Sequence, residues 1–211
     1  MKLLSDSSNL VLAGAWNPAI LSPAWIAKEA LGIAAGTDFP VSMQLPVIGE
    51  PSAFPARYSF EGVAYSAAPH AVTIFLQDGS EGVVQKSISL AAKLAELLPH
   101  TPLTGFGFNF AFTEEQPSEK LLSTFAASNN VPSFITDVDA VTVAQQWGAA
   151  VLSKGRIINM TIKYEGGTIL VNFNVHFEVT SASDACTKLK LPNIYSDTLE
   201  DVNSIIANLQ Q

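Results

Sequence analysis

Phe106, Phe108, Phe110 and Phe112 recur at every second position and alternate with Gly105, Gly107, Asn109 and Ala111. A helix cannot keep such a set on one side, whereas successive side chains of a strand point to opposite faces of a sheet. Positions 103–112 therefore read as a strand with one aromatic face and one face of small residues. The aromatic face calls for burial. The small face admits a close neighbour, and the alanine-rich side of a nearby helix is expected to sit there.

The same period returns near the C-terminus. Ile158, Met160, Ile162 and Tyr164 line one arm, and Val171, Phe173, Val175, Phe177 and Val179 line the next. Glu165-Gly166-Gly167 supplies the turn of a hairpin between them. The opposite faces carry Asn159, Thr161 and Lys163, then Asn172, Asn174, His176 and Glu178, so one side of this hairpin is polar. A second hairpin is expected over 57–67, turning at Glu61-Gly62, with further strands at 10–15 and 71–77. At 41–47 the alternation of Val41, Met43, Leu45 and Val47 predicts a strand with one covered face.

Helices are expected where the spacing changes to three and four. Val84, Ile88, Ala91, Ala95 and Leu98 mark one over 83–98. Asn17-Pro18 and Ser22-Pro23 each set a capping residue before a proline at the first helical position, and the second helix should end at Gly32. Another is expected over 117–127, while 138–152 fits either helix or strand. Asp197-Thr198-Leu199-Glu200 resembles a capping box opening a final helix through Leu199, Val202, Ile205, Ile206 and Leu209.

Tight hairpins imply antiparallel pairing. The fold expected is α+β, a largely antiparallel sheet with helices packed mainly on one face, in a single domain spanning 1–211. Gly-Phe-Asn-Phe around Asn109 and Val-Asn-Phe-Asn around Asn172 hint at related halves, roughly 1–115 and 116–211.

Composition limits the partners. Charged residues form 14% of the chain, where about 25% is usual, and hydrophobic types form 48%. Part of the surface must be neutral or covered. Acidic residues outnumber basic ones 19 to 11, and the two arginines, Arg57 and Arg156, are far apart in sequence. This balance disfavours nucleic acid, which needs clustered cations, and anionic membranes. The uncharged stretch 7–27 holds Asn17, Pro18 and Pro23, which are incompatible with a spanning helix. Asp6 interrupts the apolar run a signal peptide requires. A lone cysteine, Cys186, fits a reducing compartment, and the expected location is cytoplasmic.

No nucleophile elbow, phosphate loop, dinucleotide fingerprint or zinc-protease helix is present, so no catalytic residue, metal ligand or cofactor is assigned. Three residues form a speculative ligand set. His100, in the link between helix and aromatic strand, offers an acid-base group or a cap for the helix end. Trp16 offers a ring for a planar ligand or for the core, as do Trp25 and Trp147. Asn109 offers an amide that needs partners if buried. Asp137 and Asp139 share a face if extended and suit either a hard cation or a solvated turn. Cys186 lies near Lys188 and Lys190, which could activate a thiol, but reads more simply as a small core residue.

The reading that follows is a non-catalytic interaction or assembly protein that forms homo-oligomers. Homodimer interfaces are more apolar than ordinary surface, which would account for the shortage of charge. Two alternatives stand beside it. One is a small-ligand-binding protein or enzyme with a cleft at His100 and Asn109, and the other is a viral or mobile-element structural or accessory protein.

Overall fold

The computed structural model describes residues 1–45, 55–125 and 144–210. Among them, ten strands form one sheet: β1 (Lys2–Leu3), β2 (Asn9–Gly14), β3 (Ser42–Gln44), β4 (Arg57–Phe60), β5 (Val63–Ala68), β6 (Ala71–Phe75), β7 (Leu103–Glu114), β8 (Ala144–Ser153), β9 (Arg156–Glu165) and β10 (Thr168–Glu178). The order is β3-β4-β5-β6-β2-β7-β10-β9-β8, with β1 also beside β7, and every pairing is antiparallel.

The phenylalanine strand is central, for its aromatic face needs apolar neighbours on both sides. Across β10, Phe112 faces Val171, Phe110 faces Phe173, Phe108 faces Val175 and Phe106 faces Phe177. Across β2, Leu10 faces Phe108 and Leu12 faces Phe106. The rings of Phe106 and Phe177 stack at 4.7 Å with 6° between their planes. Phe106, Phe108 and Phe110 are buried, and each contributes roughly 1.5–3 kcal/mol of hydrophobic stabilisation.

Five α-helices complete the described fold: α1 (Pro23–Trp25), α2 (Glu81–Leu97), α3 (Glu119–Phe125), α4 (Ala182–Leu189) and α5 (Ile194–Gln210). α5 packs on the aromatic face. Tyr195 of α5 meets Phe108 edge to face at 5.6 Å and tilts against Phe110. α2 buries Val84, Ile88, Ala91, Leu94 and Ala95, and α4 runs beside it. Ser22 caps α1 by accepting from Trp25 N–H at 3.3 Å, and the chain continues as a π turn over Ile26–Ala30. The Tyr65 hydroxyl donates to Leu21 O at 2.8 Å, which ties this region to the same face of β5.

Several expectations are corrected. Among the described residues, no helix seats on the glycine face of β7. A Cβ at Gly105 would lie 2.2 Å from His176 Cε1, and one at Gly107 would lie 3.0 Å from Asn174 Nδ2. The glycines make room for side chains leaning over from β10, so the close neighbour is a strand. Asn17-Pro18 begins only a turn, in which Ala19 N–H donates to Asn17 Oδ1. The described part of 41–47 is the short edge strand β3, and Val41, Met43 and Leu45 are exposed, with no strand beyond β3 among the described residues. The final helix starts a turn before the expected capping box. Asp197 N–H already donates to Asn193 O at 2.8 Å, and the Thr198 hydroxyl donates to Ile194 O.

α4 was not expected at all. Ser181 Oγ accepts from Asp184 N–H at 3.1 Å, and Asp184 Oδ2 accepts from Thr180 N–H at 3.0 Å, a reciprocal cap one residue wider than usual. The ambiguous stretch 138–152 is strand in its described part, from Ala144 onward.

Candidate functional site

The second face of the sheet carries a ladder of four asparagines. Asn9 on β2 lies opposite Asn109 on β7, Asn109 lies opposite Asn174 on β10, and Asn174 lies opposite Asn159 on β9. Strand alternation that sends the phenylalanines to the helices sends these amides to the other side. They bond in one direction. Asn159 Nδ2 donates to Asn174 Oδ1 at 3.1 Å, Asn174 Nδ2 donates to Asn109 Oδ1 at 2.7 Å, and Asn109 Nδ2 donates to Asn9 Oδ1 at 2.7 Å. Asn9 Nδ2 closes the series on Ser7 O at 3.3 Å.

Burial is graded along the ladder. Asn9 is buried, Asn109 and Asn174 are half-buried, and Asn159 is exposed. An amide donates and accepts at once, so each can satisfy both neighbours without a net charge. Next to Asn9 in the same row stands Phe75, whose ring lies 4.1 Å beneath the Arg57 guanidinium. Burial pushes the Arg57 group below its ordinary pKa. The ladder is thus a neutral, internally bonded seam that specifies strand register.

Of the speculative ligand set, the structure brings two members together and separates the third. Trp16 and His100 line one shallow cavity of about 320 Å³ with Pro99 and Pro102. Asn109 sits in the ladder and does not line it. Trp16 is buried and its indole N–H donates to Leu12 O at 3.0 Å, so its polar atom is already engaged. His100 is exposed, and Thr101 N–H, rather than His100, meets Leu98 O at the end of α2. Asp137 and Asp139 lie outside the described residues. Cys186 is half-buried on α4.

Two larger hollows are held by paired charges. The one between α2 and the α4–α5 link, about 600 Å³, has Val84, Ile88, Ala92 and Tyr195 among its walls. At its rim Glu96 bonds Lys190 and Lys93, at 3.1 and 3.3 Å, and they hold its carboxyl below the usual range. The other, about 500 Å³, is lined by Lys154, Arg156, Phe177 and Lys188. There Asp201 takes Lys154 at 2.7 Å and Arg156, while Lys188 meets Asp184 at 3.0 Å. Among the described residues no three His, Cys, Asp or Glu side chains gather as a metal site would require.

The least ordinary surface is the sheet edge at β8. Its ten residues, Ala-Gln-Gln-Trp-Gly-Ala-Ala-Val-Leu-Ser, hold no charge. Trp147 is 49% exposed, Val151 56% and Leu152 75%. β9 satisfies one side of the strand, and the other side presents backbone N–H and C=O groups with no strand partner among the described residues. Proteins commonly protect such edges with lysine, proline or a bulge. The described part of β8 has none of these, and its register with β9 is unbroken from Ala144 to Ser153.

Sequence reasoning missed Asn9, Asn159 and the β8 edge. The asparagines fall at alternate strand positions, but only the strand order reveals that they share a row. No protein-family model matches this chain, nor does any curated protein match it in sequence. Among the described residues, no helix is long and apolar enough to cross a membrane.

Proposed function

We propose that this is a non-catalytic assembly protein whose subunits join through the open edge of the sheet. The observation that carries the reading is β8, a long, uncharged edge strand exposing Trp147, Val151 and Leu152. Such an edge is a template for strand addition, in which backbone hydrogen bonds provide affinity and alternate side chains provide selectivity. The chain's net charge of -8 sharpens the argument, because acidic copies repel one another wherever their charged surfaces meet. A neutral strand avoids that cost. The paired charges around the two large hollows and the internally satisfied ladder also favour a structural role over a catalytic one.

The test is light scattering on purified protein from about 1 to 100 micromolar, beside Trp147→Lys. The reading expects the wild-type mass to rise to at least a dimer and the lysine variant to remain monomeric with an unchanged circular dichroism spectrum. A strict monomer across that range would refute it.

A further inference from the structure

Resting on that reading, we infer that the partner of β8 is β8 of a second copy, paired antiparallel about a twofold axis through Ala149. Two identical antiparallel strands must match side-chain faces, so a residue itself, not the gap between residues, lies opposite its own counterpart. The ten residues Ala144–Ser153 cannot overlap completely under that rule, and the greatest overlap, all but one residue, is reached at two such centres, Gly148 and Ala149.

The side chains choose between them. On the face of β8 that carries Trp147, the Ala149 centre sets Trp147 opposite Val151 of the second copy, and Val151 opposite Trp147. Aromatic rings paired across strands with β-branched residues are among the stabilising combinations, and both residues are exposed in the isolated chain. On the other face Gln146 meets Leu152, the most exposed large apolar side chain of the three, and Gly148 meets Ala150. The Gly148 centre instead places Trp147 opposite Ala149 and leaves Val151 opposite position 145.

Charge does not oppose this pairing, because no residue of β8 is charged and no like charges are brought face to face along the strand. The product is one continuous antiparallel sheet running through both subunits, with helices on a common face.

Cysteine cross-linking reads the register directly, in a Cys186→Ser background so that each chain has one thiol. Opposed residues across an antiparallel pair lie about 4.5–5.5 Å apart at Cα, within disulfide reach, while diagonal positions lie at about 7–8 Å. Ala149→Cys is expected to form a covalent dimer at least tenfold faster than Gly148→Cys under mild oxidation. An equimolar mixture of Gln146→Cys and Leu152→Cys chains is expected to favour the mixed disulfide over either homodimer. If light scattering shows a dimer but Gly148→Cys cross-links faster, or the mixed pair shows no preference, the register is wrong while the assembly reading stands. If no dimer forms, both fall.

Discussion

Asn109 Nδ2 lies 2.7 Å from Asn9 Oδ1, although 100 positions separate the two residues in the chain. That bond joins β2 to β7 on the face away from the helices and continues through Asn174 to Asn159. Removing a middle member leaves two amides without their partners, and an unpaired, partly buried polar group costs about 1–3 kcal/mol. Asn109→Ala is therefore expected to lose about that much in urea unfolding. Asn159→Ala, at the exposed end where water replaces the bond, is expected to lose under about 0.5 kcal/mol. Equal losses at both positions would show that the ladder does not act as a graded seam.

Gly105 is required by its neighbour. A methyl group there would lie 2.2 Å from His176 Cε1 and 2.9 Å from Phe177 O. The side chain can move, but the carbonyl cannot without disturbing the β7–β10 pairing. Gly105→Ala is expected to cost about 1–3 kcal/mol, the range for overpacking. Adding His176→Ala should restore only part of it, as measured by thermal unfolding of the single and double variants.

Asp201 gives the fold a pH dependence. Lys154 first, and Arg156 with it, hold its carboxyl below the ordinary carboxylate range in the folded chain. The unfolded chain then binds the proton more readily, so the stabilisation is present above the ordinary pKa of about 3.9 and is lost as pH falls through the depressed folded value. With Arg156 only partly exposed, the contact contributes about 1 kcal/mol at pH 7. Asp201→Asn should lose that amount at pH 7, and the gap from wild type should close as urea unfolding is repeated from pH 4 downward.

Phe108 tests the core itself. It is fully buried, opposite Leu10 and Val175 and beneath Tyr195. Phe108→Ala is expected to cost about 3–5 kcal/mol, the range for deleting a buried ring. Loss of near-ultraviolet circular dichroism at a lower temperature than wild type would register it.

The aromatic core was legible because strand alternation is a local signal. Phe106 to Phe112 declare their face without any knowledge of the partner strand, and Glu61-Gly62 declares its turn, both residues having positive φ. The fold class, a large antiparallel sheet with helices, followed from those signals. What depends on which strands are neighbours was hidden. Asn9 and Asn159 look like ordinary polar positions until β2, β7, β10 and β9 are placed side by side. The glycines of β7 announced a close approach, yet nothing in the sequence said that it came from His176 and Asn174. Trp147 resembled a core residue until β8 proved to be the last strand of the described sheet.

Hydrogen exchange of the β8 backbone, followed by mass spectrometry at rising protein concentration, tests edge-to-edge assembly most directly. The account predicts that peptides covering 144–153 exchange freely when dilute and become protected as concentration rises, and that Trp147→Lys removes the protection while leaving β7 and β10 unchanged. Exchange in 144–153 that stays the same at every concentration, in a sample whose mass shows association, would place the contact elsewhere and contradict it.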